Sequence, residues 1–336
     1  MGGIFASPAK KEGGGKPVNC PLCGQDRTNV LTDRLRNGEK LRVFHCPECD
    51  LGFLEERKDE AELKRYYRNE YRKAYKPDVR GQADAERLFD SAVGFQQDRV
   101  ARIERYLRRD AAVLDVGCSS GAFLFHIKDK VKEAVGVEID PEAAKFASER
   151  CGCPVYTDYL AETPLAKRSF DAVCAFQVME HVGNPLEFLL QLKDYAKEDG
   201  LLYVEVPNLR DVLVSAFDLP NYRTFYFRSA HLFYFSERSL RILLDQAGLE
   251  GDFFYSQDYH LVNHLNWVLR DRPQPRAEDG MGEPAFPVRP GTDGRAEAAL
   301  NGFLARVNRE YKELLSELGM TSKIGFIARR KREANG

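Results

Sequence analysis

The chain has 336 residues, a formal net charge of −2, 43% hydrophobic and 30% charged residues. At about 150 residues per domain this length suggests two domains, with apolar content sufficient for a packed core. The near-neutral balance offers no global attraction to nucleic acid or to a membrane surface, and no run of ~18 apolar residues marks a membrane span.

Residues 1–16 are rich in Gly and Lys without an apolar core, so they read as a flexible tail and not as a secretory signal. Residues 17–54 form a cysteine-rich unit. Residues 55–110 carry apolar positions at helical spacing in Glu62–Arg68, Ala85–Ala92 and Arg99–Leu107, and read as a helical linker or lid. From 111 to 256 strand and helix patterns alternate. That predicts an α/β domain with a mostly parallel sheet covered on both faces, its strands at 112–116, 134–139, 154–156, 171–176, 201–205 and 253–256. Residues 257–336 form an extension. Within it, Arg272–Gly294 holds five Pro and four Gly and reads as a long loop or disordered segment. Glu297–Leu318 has apolar residues at 300, 303, 304, 307, 311, 314, 315 and 318, an amphipathic helix, and 324–328 is a last strand.

Cys20-Pro-Leu-Cys23-Gly and Cys46-Pro-Glu-Cys49 are two Cys-x-x-Cys pairs separated by 22 residues, each in a knuckle-type turn with Pro inside it and Gly nearby at 24 and 52. Four thiolates at this spacing can hold a tetrahedral Zn²⁺ with no open position, which makes the site structural, because catalytic zinc keeps a place for water. His45, beside Cys46, is a spare ligand that four cysteines make unnecessary. Eight cysteines used in this way point to metal binding in a reducing compartment and hence to a cytoplasmic location. The unit is not notably basic, which favours a structural or lid role over nucleic-acid binding.

Residues 113–121, Val-Leu-Asp-Val-Gly-Cys-Ser-Ser-Gly, give a strand, a glycine turn framed by Gly117 and Gly121, and a helix start at Ala122. This is the opening of a nucleotide-binding βαβ unit. Ser119 stands where a dinucleotide loop would carry its middle glycine, and no Lys-Ser/Thr follows, so neither a dinucleotide nor a phosphate loop fits. Glu138 ends the next strand, 23 residues after Asp115, where a carboxylate can accept both hydroxyls of a ribose. The ligand implied is a nucleoside without phosphates. Asp140 before Pro141 reads as a helix N-cap.

Leu114–Leu124, Gly136-Val-Glu-Ile-Asp140, Phe170-Asp-Ala-Val173 and Glu180-His-Val182 resemble, in order, the motifs of class I S-adenosylmethionine-dependent methyltransferases over about residues 95–255. The resemblance implies a Rossmann-like fold preceded by the zinc ribbon and helical segment. S-adenosylmethionine would be held by Asp115, Gly117, Ser119, Gly121 and Glu138. Asp158 would meet the adenine amino group, Tyr159 would stack on the ring, and Phe176 and Gln177 would lie under the sulfonium. The cysteine pairs and Leu63-Lys-Arg-Tyr-Tyr-Arg-Asn-Glu-Tyr71 extend the resemblance to bacterial sugar and nucleotide-sugar methyltransferases over about residues 18–255.

Methyl transfer needs in-line positioning and removal of one proton. The candidate bases are His231, in the aromatic segment Ser229–Ser236, and His181, just beyond the fourth strand, with Tyr75 behind them. Each histidine can equally be a hydrogen-bonded structural residue. The aromatic runs Phe225-Tyr-Phe and Leu232-Phe-Tyr-Phe suit an acceptor pocket. The sugar C-methyltransferases resembled here commonly carry an acid where this chain has Ala230, which shifts the expectation toward O-methylation of a sugar, nucleotide-sugar or secondary metabolite. Three alternatives stand beside it: sugar C-methylation, RNA methylation gripped by the Tyr/Arg-rich helix at 64–75, and a non-catalytic cofactor- or partner-binding module. His260 and His264, four apart, lack a third ligand for a second metal.

Overall fold

Val113, Leu114 and Val116 are buried in a strand with no solvent-facing side, which only a central parallel strand covered by helices allows. In the computed structural model, which describes residues 18–57, 60–69, 85–275 and 278–331, this strand lies inside a seven-stranded sheet. The expected tail at 1–16 and the candidate base Tyr75 lie outside the described residues.

In chain order the strands are β1 Asn29–Thr32, β2 Val43–Cys46, β3 Leu51–Leu54, β4 Ala112–Val116, β5 Glu133–Val137, β6 Val155–Tyr156, β7 Phe170–Phe176, β8 Ala196–Pro207, β9 Phe233–Tyr234, β10 Leu249–Ser256 and β11 Lys323–Arg330. The α-helices are α1 Glu60–Asn69, α2 Ala85–Val93, α3 Gln97–Glu104, α4 Ala122–Ile127, α5 Pro141–Cys151, α6 Pro185–Tyr195, α7 Val212–Ser215, α8 Pro220–Tyr226, α9 Glu237–Ala247, α10 Leu261–Arg270 and α11 Gly294–Glu317.

The large sheet has the order β10-β11-β8-β7-β4-β5-β6, and β6, β5, β4, β7 and β8 run parallel. The chain steps outward from β4 to β5 and β6, then returns to β7 on the other side of β4. That reversal opens a crevice at the carboxyl ends of β4 and β7, where ligands bind in open α/β sheets. The covering helices are set by local chemistry. Asp140 caps α5, its Oδ1 accepting from Glu142 N at 2.9 Å and Ala143 N at 3.0 Å, with Pro141 pre-set at the first helical position. Asn184 and Pro185 repeat the device at α6.

The smaller sheet, β1-β2-β3-β9, is antiparallel, with His45 opposite Gly52 and Gly52 opposite Tyr234. Its fourth strand comes from about 180 residues downstream, a pairing that no local pattern signals. Gly52 serves this pairing: a Cβ there would lie 3.0 Å from Tyr234 Cβ.

Contacts divide the described residues into two compact units. One draws on the segments up to Glu56, Pro207–Ser239 and Phe254–Gly325; the other on Arg57–Val206, Leu240–Phe253 and from Phe326 onward. The division runs through the chain five times, unlike the linear segmentation read from sequence. Among the described residues, the segment 272–294 carries a short 3₁₀ turn at Glu278–Gly280, and its Met281 bridges to Tyr259. No helix among the described residues is long and apolar enough to cross a membrane.

Candidate active site

The loop after β4 is built on backbone that L side chains rarely adopt: φ is +74° at Gly117, +50° at Ser119 and +82° at Gly121. A Cβ on Gly117 would lie 2.5 Å from Val178 Cγ2, and one on Gly121 would lie 2.9 Å from both Ala147 Cβ and Cys151 Sγ. Both glycines are therefore required by the fit of the loop to its own protein, a reason the sequence reading did not supply. Gly117 N and Cys118 N donate to Val137 O at 2.7 and 3.1 Å, fastening the loop to the end of β5.

One residue beyond β5, Glu138 accepts from Ser119 N at 2.8 Å through Oε2 and from Asp140 N at 2.9 Å through Oε1. Two backbone donors, one on each oxygen, fix the plane of the carboxylate. Asp115, the penultimate residue of β4, is a buried acid. Burial pushes its carboxyl up to about 7, against the pull of the Arg99 guanidinium, while the Glu138 charge adds to the rise.

At the end of β7, Phe176 packs edge-on against Phe123 at 4.9 Å and Tyr203 at 4.8 Å. Gln177 follows at φ +58°, its backbone N–H on Glu205 O at 2.8 Å. Its buried Nε2 has no hydrogen-bond partner among the described residues. A non-glycine residue held left-handed at a strand end, with a buried donor to satisfy, is the kind of feature that collects at binding sites. After β6, Asp158 Oδ1 accepts from Tyr159 N at 3.0 Å. Lys64 Nζ of α1 lies 4.6 Å from the centre of the Tyr159 ring and is ion-paired with Glu162.

Two charged residues here escaped the sequence reading. Arg99 of α3 ion-pairs with Glu205, which is almost fully buried at the end of β8, and its guanidinium lies 4.5 Å from the Phe176 ring centre. Gln96 Oε1 accepts from Arg99 at 3.0 Å. The pair spans 106 residues, so neither spacing nor motif marks it.

His181 sits in a 3₁₀ turn after β7, largely buried, with Nε2 3.7 Å from the Glu180 carboxylate. His231 belongs to the other unit. Its backbone N–H donates to Arg228 O at 3.2 Å and its ring lies 5.7 Å from that of Tyr234. The aromatic runs around it are mostly core: Phe227, Leu232, Phe233, Tyr234 and Phe235 are fully buried. His260 and His264 form no metal pair. The His260 ring caps α10 at Asn263 N (3.0 Å) and meets Asp279 O (3.0 Å), and His264 meets Tyr311 Oη (2.8 Å) and Gln257 (3.2 Å).

The Sγ atoms of Cys20, Cys23, Cys46 and Cys49 all lie within 4.8 Å of one another, Cys20–Cys49 at 3.4 Å and Cys23–Cys46 at 3.5 Å. A disulfide needs about 2.05 Å. Four sulfurs about 2.3 Å from a zinc ion stand about 3.8 Å apart, so the cluster fits a closed tetrahedral site. The two knuckles match: Gly24 N donates to Cys20 O at 2.9 Å, and Asp50 N to Cys46 O at 2.8 Å. The left-handed position is Gly24 (φ +76°) in the first and Asp50 (φ +56°) in the second, so Asp50, and not Gly52, turns the second knuckle. Asp50 also accepts from His45 Nε2 at 2.8 Å and from Arg210 Nε at 2.8 Å, and its carbonyl accepts from Ser236 Oγ at 2.8 Å. Burial alone would raise the Asp50 carboxyl, but His45 and Arg210 outweigh it and hold it below the ordinary range.

A family model described as a methyltransferase domain matches residues 85–252, half of the chain, and the chain belongs to that family. A probable S-adenosylmethionine-dependent methyltransferase of Mycobacterium tuberculosis is 32% identical over 97 residues, 29% of this chain and 35% of that one. A tRNA U34 carboxymethyltransferase of Aeromonas hydrophila is 34% identical over 114 residues, 30% of this chain and 35% of that one. Among solved structures, a SAM-dependent methyltransferase from Archaeoglobus fulgidus superposes with a TM-score of 0.48 at 19% identity, covering 73% of this chain and 97% of that one. The chain spans between 35% and 42% of the length of the curated relatives it matches. The fold is the Rossmann-like fold of S-adenosylmethionine-dependent methyltransferases.

Proposed function

We propose that the chain transfers a methyl group from S-adenosylmethionine to a hydroxyl of a sugar, nucleotide-sugar or related metabolite, in the cytoplasm, with a structural zinc ion in its cysteine cluster. The observation that carries the cofactor reading is the Glu138 carboxylate, fixed by Ser119 N and Asp140 N at the end of β5, where a ribose would lie. Asp115, a buried acid, suits the amino group of the methionine part. Gln177 brings an amide to the crevice end of β7, beside the aromatic face of Phe176. Asp158 and Tyr159 stand at the end of β6, where an adenine would lie.

The cofactor supplies an activated methyl group. The protein has to place the acceptor oxygen in line with the carbon–sulfur bond, exclude water, and take the hydroxyl proton as the oxygen–carbon bond forms. His181 and His231 are the assigned bases, with Tyr75 behind them. Ala230 beside His231 leaves that position without a second acid, which supports a hydroxyl acceptor over the harder removal of a proton from carbon.

The test is turnover of radiolabelled S-adenosylmethionine with a panel of nucleotide-sugars and free sugars, and with bulk tRNA as a parallel arm. Label on a base-stable ether of a sugar supports the proposal; label on tRNA alone replaces it with RNA methylation. Cofactor binding without any transfer leaves a binding module.

A further inference from the structure

Four cysteines lie outside the metal cluster, and two of them, Cys151 and Cys153, form a Cys-Gly-Cys turn at the end of α5. Gly152 between them adopts the left-handed backbone (φ +67°) that ends the helix, and its N–H donates to Ser148 O at 2.9 Å. Ser148 Oγ donates to Cys153 O at 2.9 Å, which pins the residue after the turn back on the helix. The two thiols are hydrogen-bonded to each other, Cys151 buried and Cys153 partly exposed. A disulfide needs Cα atoms about 4.4–6.8 Å apart, a separation that residues flanking a single turn glycine reach.

Cys151 also touches the glycine loop after β4. Its Sγ donates to Gly121 O at 3.3 Å, and a Cβ on Gly121 would lie 2.9 Å from the same sulfur. Gly121 O is the acceptor on which α4 begins, since Phe125 N donates to it at 2.9 Å. A thiol has one hydrogen, so the bond that Cys151 gives to Gly121 is lost once its sulfur enters a disulfide. The sulfur must also close from hydrogen-bonding distance to about 2.05 Å from Cys153, which shifts the surface that Gly121 packs on.

The two thiols differ in reactivity. The Cys151 hydrogen bond holds the Cys153 thiol below its ordinary value, and the Lys128 charge adds to this against the opposing effect of burial. The same hydrogen bond, together with burial, pushes the Cys151 thiol up. A partly exposed thiol that ionises readily, with a second thiol in contact, is the arrangement of a redox-responsive pair. From the turn and the Gly121 contact we propose that Cys151 and Cys153 form a reversible oxidation site for hydrogen peroxide, and that their disulfide loosens the Gly121 loop and weakens cofactor binding, the last step resting on the cofactor reading above. The Cys153 thiolate attacks one peroxide oxygen: a sulfur–oxygen bond forms, the oxygen–oxygen bond breaks, and hydroxide leaves as water after taking a proton. The Cys151 sulfur then attacks the Cys153 sulfur, and the sulfenic oxygen leaves as a second water with the Cys151 proton. Two thiols are oxidised to one disulfide and one peroxide is reduced to two waters.

The test treats the zinc-loaded full chain with stoichiometric hydrogen peroxide and maps its disulfides by mass spectrometry after alkylation. A Cys151–Cys153 disulfide is expected, reversed by dithiothreitol. Hydrogen exchange at residues 117–122 should speed up in the oxidised chain, a readout that needs no cofactor. S-adenosylmethionine affinity by calorimetry should fall about five- to tenfold, the scale of one lost hydrogen bond, and recover on reduction. Cys153→Ser should bind like the reduced wild type and lose the response to peroxide. The ribbon cysteines are the same in both proteins, so the difference between them belongs to the Cys151–Cys153 pair. A disulfide that joins Cys151 to Cys118, or none at Cys153, overturns the inference, as does a Cys151–Cys153 disulfide that leaves exchange in the loop unchanged. A reduced chain that fails to bind S-adenosylmethionine overturns the cofactor reading instead, and the disulfide map and loop exchange still decide the oxidation site.

Discussion

The Glu138 carboxylate holds Ser119 N at 2.8 Å, so the acid at the end of β5 and the left-handed turn after β4 form one rigid piece. The same oxygens are assigned to the ribose. Removing this side chain takes away both a ligand contact and a brace of the loop. Glu138→Ala should weaken S-adenosylmethionine binding by about tenfold to a hundredfold, since hydrogen bonds to a charged group are worth about 1.5–3 kcal/mol. Glu138→Gln keeps the shape and one carbonyl acceptor and should lose less. Titration calorimetry reads both, and unchanged affinity in the alanine variant would remove Glu138 from the cofactor site.

Asp115 gives a pH signature. Its folded carboxyl sits at about 7, above the ordinary value of 3.8, so the folded state holds a proton that the unfolded chain has lost between those limits. Stability from this group is fully present below about pH 4 and declines as pH rises toward 7. Asp115→Asn should flatten that decline and raise the melting temperature at pH 8. A ligand ammonium placed beside Asp115 favours the charged form. Binding should then release a proton, and affinity should rise by up to about tenfold per pH unit between pH 5 and 6. Calorimetry in buffers of different ionisation enthalpy measures the released proton. A pH-independent affinity in the wild type separates Asp115 from the amino group.

Much of this site could be read from the chain because its residues lie at strand ends. The apolar run Val113–Val116 locates β4, the two glycines locate the turn, and a strand-length spacing locates Glu138. What escaped was long-range or conformational. The Arg99–Glu205 pair joins a helix before the sheet to a strand late in the chain, and one Arg among several in a helical stretch carries no mark of such a partner. In the ribbon, Gly52 drew attention as the turn residue, yet Asp50 adopts the left-handed backbone, because Asp tolerates it where most side chains do not. The pairing of β3 with β9 was equally hidden: Phe233 and Tyr234 read as part of an acceptor pocket, and burial makes them the ribbon's own core.

The cysteine cluster predicts one zinc ion per chain, found by elemental analysis of protein purified without added metal. Its binding energy is folding energy for the ribbon, so Cys46→Ser should lose the ion and melt the ribbon before the large sheet. Exchange of the amides of β2 and β3 should speed up while those of β4 and β7 stay protected. A folded ribbon in a metal-free protein would count against the zinc assignment.

Asp50 should matter to the ribbon nearly as much as a ligand. It is buried, turns the second knuckle at φ +56°, and joins His45 to Arg210. Asp50→Ala leaves the Arg210 charge partly buried without its acid, and breaking a buried pair in this way costs about 3–5 kcal/mol. Asp50→Asn keeps the left-handed backbone and one acceptor and should cost clearly less. Chemical denaturation of the zinc-loaded protein orders the two, and equal losses would mean that the charge, lost in both variants, and not the turn, is what Asp50 supplies.

The histidines separate by kinetics. A base that takes the acceptor proton in the transition state contributes about 10²–10⁴ to turnover and little to cofactor binding. His231→Ala should therefore lower kcat by that factor with an unchanged S-adenosylmethionine dissociation constant. His181 lies in the turn directly after β7, the strand that carries Phe176 and Gln177, so His181→Ala should disturb both quantities. In the wild type, kcat should rise with pH as the base gives up its proton, and that limb should vanish in whichever variant lacks the base. If both variants keep the limb and near wild-type turnover, proton removal falls to Tyr75 or to solvent, and positioning alone supplies the catalysis.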